Sequence, residues 1–124
     1  MSKLLRLQQT GKQRIPKELA KRQGRGMGDL YGTPVITLLS SGTPNATDAT
    51  ITWTTNVVAD SQVFWGLTTA YAGASSPIMN FTYVTSHSVQ ITGLTTATTY
   101  HYKVLTRTPG GVYVFSADGT FITA

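Results

Sequence analysis

Short runs of alternating apolar and polar residues, separated by turn formers, fill the chain from about Thr33 to its end. Ala49-Thr50-Ile51-Thr52-Trp53-Thr54-Thr55 sets Ile51 and Trp53 on one face and Thr50, Thr52 and Thr54 on the other, the two-residue period of a half-buried strand. Gln62-Val63-Phe64-Trp65-Gly66 turns Val63 and Trp65 inward and Phe64 outward, and Ser88-Val89-Gln90-Ile91-Thr92 repeats the pattern with Val89 and Ile91. Tyr100-His101-Tyr102-Lys103-Val104 places Tyr100, Tyr102 and Val104 inside, His101 and Lys103 outside. Further runs cover 112–115 and 120–123. A first strand is expected near 34–40, where Val35, Ile36, Leu38 and Leu39 leave the buried face open, and one edge strand near 79–83 in the Thr-, Ala-, Gly- and Ser-rich stretch after Leu67.

Ser41-Gly42-Thr43-Pro44-Asn45, Gly93, Pro109-Gly110-Gly111 and Asp118-Gly119 fall between these runs, where turns belong. Six or seven short strands at about 8–12-residue spacing, with no helical period between them, predict an all-β antiparallel sandwich. Its expected core contains Ile51, Trp53, Val63, Trp65, Leu94, Tyr100 and Tyr102.

The first thirty residues break the pattern. They hold Lys3, Arg6, Lys12, Arg14, Lys17, Lys21, Arg22 and Arg25 against Glu18 and Asp29, a net of +6, whereas residues 31–124 hold Lys103 and Arg107 against Asp48, Asp60 and Asp118, a net of −1. The overall charge of +5 therefore averages two unlike parts. Three glycines in Gly24-Arg25-Gly26-Met27-Gly28 mark a hinge. The chain divides into a basic N-terminal arm over 1–32 and a sandwich over 33–124. Pro16 followed by Lys-Glu-Leu-Ala-Lys-Arg-Gln, closed by Gly24, fits one short helix over 16–23. At 124 residues there is room for one core, and no cysteine is present to form disulfides, thiolate metal sites or thiol nucleophiles. No apolar run reaches the ~20 residues of a membrane span. The start of the chain lacks the apolar segment of a secretory signal, so synthesis in the cytosol, without a signal peptide and without membrane contact, is expected.

Ala49 to Trp53, Asp60 to Gly66 and His87 to Val104 together resemble the fibronectin type III-like module found at the N-terminus of purple acid phosphatases, over about residues 34–124. Leu94 with Tyr100 resembles the tyrosine corner of such sandwiches, in which the phenol bonds back to the chain. Thr96-Ala97 stands where the family commonly has Pro-Gly. The resemblance implies a fibronectin type III/immunoglobulin-like fold. It implies no catalysis by this chain, because in that family the dinuclear metal site lies in a separate catalytic domain of a few hundred residues.

The residues themselves lead the same way. His87 reads as the residue that opens a strand and His101 as exposed on a sheet face. Two histidines and three aspartates on separate strands do not make the cluster that bridged metals need. No G-x-S-x-G elbow or phosphate-cradling glycine loop occurs. No catalytic residue, metal or cofactor is expected, and the chain is read as non-enzymatic. Phe64, His101, Lys103 and Leu105 share outward parity on strands that neighbour in the resembling fold, and form the expected contact patch. In the arm, Lys3, Arg6, Lys12, Arg14, Lys17, Lys21, Arg22 and Arg25 are expected to pair with an acidic surface while Leu4, Leu5, Leu7, Ile15 and Leu19 fill grooves. Fibronectin-like modules also resemble those on phage particles. The reading that joins module, arm and missing signal is a bacteriophage capsid decoration protein, assembled in the host cytoplasm and exposed on the virion. Its partners would be a major capsid or other virion protein and copies of itself, with host-surface glycans as a further contact. Two alternatives are an accessory N-terminal domain of a secreted phosphatase-like metallophosphoesterase and a non-specific nucleic-acid binder, the latter weakened because residues 1–30 of the arm carry no aromatic residue for base stacking.

Overall fold

The computed structural model describes residues 31–124. Apart from Tyr31 and Gly32, the basic arm, its contact residues from Lys3 to Arg25 and the helix expected over 16–23 lie outside the described residues. Six strands follow in order: β1 (Ile36–Ser40), β2 (Ala49–Gly66), β3 (Ile78–Ile91), β4 (Thr99–Arg107), β5 (Tyr113–Phe115) and β6 (Gly119–Ile122). All pairings between them are antiparallel: β1 with β2, β2 with β3 and β4, and β4 with both β5 and β6.

Two of these strands are longer than their sequence pattern predicts. The runs at 49–55 and 62–66 are one 18-residue strand, and those near 79–83 and 88–92 are one 14-residue strand. Between the paired runs, Asn56-Val57-Val58-Ala59-Asp60 and Val84-Thr85-Ser86-His87 contain no Gly or Pro to end a strand. The ladder survives the passage by slipping register at Thr54/Ala59 and at Ala59/Ser61, and such bulges bend a strand pair. The first half of β2 lies between β1 and the end of β3, its second half between the start of β3 and β4. One hydrogen-bonded ladder thus folds over to give both layers of the sandwich.

The inner faces carry Ile51, Trp53, Val89 and Ile91 from one layer and Val63, Trp65, Tyr100, Tyr102, Val104 and Phe121 from the other, in one buried cluster with Ala49 and Leu94. All seven core residues expected from the sequence belong to it. Tyr100 stacks on Phe121 at 5.6 Å between ring centroids and meets the edge of Trp65 at 5.8 Å, a separation at which aromatic pairs add stability beyond their burial. In β1 the alternation fails because the register shifts between Thr37 and Ser40 and Leu38 takes a left-handed φ of 58°. Ile36 and Leu39 therefore pack on the core together, while Leu38 points out at 80% exposure.

The Thr95 N–H donates to the Tyr100 phenol oxygen at 2.9 Å, which is the bond a tyrosine corner makes. Its turn contains Ala97 at φ 49°, where the resembling proteins place glycine. A Cβ in this conformation crowds the following carbonyl by about 1–2 kcal/mol, more than glycine adds in chain entropy. Ala97→Gly is therefore expected to stabilise the domain by about 0.5–1 kcal/mol, a rise in thermal midpoint of a few degrees. A melt in which the variant is no more stable than the parent would show that the turn holds no strain.

Candidate interaction face

The outward parity of β4 falls on His101, Lys103, Leu105 and Arg107, since Tyr100, Tyr102, Val104 and Thr106 fill the inward positions of the same strand. Register puts Phe64 of β2 opposite Lys103, and Phe115 and Tyr113 of β5 opposite Leu105 and Arg107. The Lys103 ammonium stands over three rings, 4.4 Å from the centroid of Phe115, 4.9 Å from Tyr71 and 5.7 Å from Phe64. Phe64 and Phe115 touch each other at 5.8 Å, and Phe115 meets Tyr113 edge-on at 6.0 Å. Aromatic faces attract a cation through their quadrupoles, so the rings fix an otherwise mobile lysine side chain in the centre of the patch. Tyr113 and Phe115 are about half exposed, at 56% and 47%.

One border is locked by a hydrogen-bonded group. The Tyr71 phenol donates to Asp118 Oδ1 at 2.7 Å, and His101 Nδ1 lies 3.0 Å from Asp118 Oδ2. Burial first, and then the carboxylate it bonds, push the Tyr71 phenol up to about 12. The bond from Tyr71, followed by the one from His101, holds the Asp118 carboxyl below its ordinary value. Asp118 thus stays ionised at neutral pH and ties the loop after β2 to the break between β5 and β6.

Three of the four residues expected in the patch, Phe64, His101 and Lys103, lie on this surface, but Leu105 does not contribute to it. It has the outward parity, yet it is only 9% exposed, because Gln62 and Phe115 flank it in register. Tyr71, Tyr113, Phe115 and Arg107 were not expected there. Tyr71 comes from a loop 32 positions before Lys103, and β5 was too short and irregular for its faces to be read from alternation.

His87 corrects the sequence reading in another way. It lies inside β3 at 2% exposure, directly opposite Trp53, and the two rings stack at 4.8 Å with an interplanar angle of 2°. Its Nε2 is 2.9 Å from Thr55 Oγ1 and its Nδ1 2.7 Å from Ser61 Oγ. Since the Thr55 hydroxyl donates to Val57 O at 2.7 Å, it accepts from Nε2–H, and Ser61 donates to Nδ1. Burial lowers the pKa of the ring below its usual value, against a smaller opposing pull from Asp60, so His87 is neutral. A serine hydrogen-bonded to a histidine suggests a nucleophile, but Ser61 is 4% exposed and a substrate could not reach it. The chain of bonds pins the bend of the β2–β3 hairpin. Among the described residues no three His, Asp or Glu side chains converge in a metal-binding group.

A family model described as Purple acid Phosphatase, N-terminal domain, matches residues 34–123, nearly the whole described sandwich. The chain belongs to this family. As a purple acid phosphatase N-terminal domain it has the β-sandwich expected of the fibronectin type III-like modules it resembles, and its tyrosine corner, core and paired strands all fall within the match. The chain matches no curated protein.

Proposed function

We propose that this chain is a non-catalytic binding module that engages another macromolecule through the face centred on Lys103. The observation that carries the reading is the cation held among Phe64, Tyr71 and Phe115, beside a half-exposed Tyr113. Aromatic residues dominate the energetics of many protein contacts because they bury large areas while losing few rotamers. The test is a photo-crosslinking amino acid at position 113 compared with one at exposed position 90, each in the full chain in the cells that produce it. One discrete product from position 113 and none from position 90 is expected. Equal labelling from both positions, or none from 113, would overturn the assignment.

The separation of charge, +6 within residues 1–30 against −1 beyond them, favours a more specific form of this function, the capsid decoration protein, with the arm docking on a shell and the sandwich outward. Removal of residues 1–25 then abolishes co-sedimentation with particles; retention would rule this form out. Family membership favours a second reading, an accessory domain that works beside a metallophosphoesterase. A phosphoesterase reading frame adjacent to this one, against portal and capsid genes, separates the two.

A further inference from the structure

Residues 31–124 contain two Lys or Arg side chains, and both lie on the same face of the same strand. Lys103 and Arg107 are four residues apart on β4, which sets their Cα atoms about 13 Å apart along the strand. Neither forms an ion pair with a carboxylate among the described residues. The acidic groups, in contrast, are all engaged. Asp48 accepts from the Asn45 amide at 2.8 Å. Asp60 is buried, accepting from the Arg107 backbone N–H at 2.9 Å and from Gln62 at 3.2 Å. Asp118 is held by Tyr71 and His101. The described surface therefore offers two cations without an ion-pair partner among the described residues, separated by a fixed distance and bordered by aromatic rings.

From this arrangement we infer that the face binds an extended acidic polypeptide segment, running along β4, whose carboxylates are spaced four residues apart with an apolar residue midway between them. The inference rests on the functional reading above and names the chemistry of its partner. Charge complementarity selects the carboxylates, their spacing matches that of Lys103 and Arg107 only in a strand-like segment, and Phe64, Tyr113 and Phe115 cover the apolar side chain midway between them, which shares their face. A second copy of the chain fits less well, because the aspartates of its described residues, Asp48, Asp60 and Asp118, do not lie four residues apart on one strand. A nucleic acid fits less well too, since phosphate tracking needs a row of cations and this body carries a net −1.

The experiment is a titration of the isotope-labelled full chain with the peptide Thr-Glu-Thr-Val-Thr-Glu-Thr, whose Val shares a strand face with both Glu, followed residue by residue in amide spectra so that contacts of residues 1–30 are read separately. Shifts are expected at Phe64, Lys103, Arg107, Tyr113 and Phe115. Lys103→Gln and Arg107→Gln should each weaken binding about twofold to fivefold, the range of one exposed ion pair, with the thermal midpoint of Arg107→Gln unchanged. Arg107→Glu should recover affinity for the peptide carrying Lys in place of one Glu. Shifts confined to residues 1–30, equal binding of a peptide with its two Glu adjacent, tighter binding of oligothymidylate at the same residues, or self-association that alone perturbs this face would each overturn the inference. A positive crosslink from position 113 alongside a negative titration would reject the acidic partner and leave the binding face standing.

Discussion

Replacement of His87 by alanine is expected to cost about 3–5 kcal/mol, a large share of the 5–15 kcal/mol that holds a domain of this size together. Three losses combine. The ring stacked on Trp53 leaves a cavity, the Ser61 hydroxyl loses its acceptor, and Thr55 loses its donor. Orphaned polar groups in the interior each cost about 1–3 kcal/mol, and Trp53 Nε1 is already buried without a partner among the described residues. The same residue makes stability depend on pH. Above its ordinary value of 6.5, His87 is neutral both folded and unfolded and contributes no slope. Below 6.5 the unfolded chain takes up a proton that the folded chain refuses, so stability falls with decreasing pH until the folded ring is protonated too. The slope approaches at most about 1.4 kcal/mol per pH unit for one proton. Urea denaturation of the parent and of His87→Gln between pH 7.5 and 5 would check this: the variant should lose most of the slope. Identical slopes in the two proteins would assign the acid sensitivity elsewhere.

Gly73→Ala is expected to destabilise by about 3 kcal/mol, with a midpoint lowered by about 10 °C or more. A Cβ at position 73 would stand 2.6 Å from Cδ2 and Cε3 of the Trp65 indole and 2.7 Å from its Cε2. The indole has nowhere to retreat. Its backbone N–H is held by Ser76 Oγ at 3.0 Å, its Nε1 by Ser75 Oγ at 3.3 Å, and its edge abuts Tyr100. The Gly73 N–H also bonds Trp65 O at 2.9 Å, so the loop cannot lift away without breaking that bond. Tryptophan fluorescence during urea unfolding measures the effect, and a variant within about 0.5 kcal/mol of the parent, the range of an ordinary surface change, would show that the loop yields.

Local period proved sufficient wherever a strand was regular. Ile51 and Trp53, Val63 and Trp65, and Tyr100 and Tyr102 all turned inward because consecutive β side chains must alternate, and burial of one face fixes which set is apolar. What alternation does not encode is a bend in an unbroken ladder. Nothing in Asn56 to Asp60 announces that the strand crosses from one layer to the other, and for the same reason His87 read as the opening of a strand rather than as its buried midpoint. Leu38 and Ala97 were opaque because a left-handed backbone at a residue other than glycine leaves no compositional mark. The interaction face was legible only on β2 and β4. Its β5 and loop members come together through pairings of distant segments, and Leu105 was misplaced because parity states a direction but says nothing of what lies on top.

The continuous ladder also decides how the sandwich can deform. Where β2 and β3 cross side by side from one layer to the other, the layers are joined as the leaves of a book are joined at the spine, and sliding them apart would require bending two paired strands at once. Among the described residues no strand pairing joins the leaves near β1 and β5, and an apolar groove of about 420 Å³ lies between Pro34, Ile36 and Leu39 on one side and Val114 and Phe115 on the other. Phe115 lines this groove and also carries the Lys103 ammonium, so the aromatic face borders the open edge of the sandwich rather than its spine.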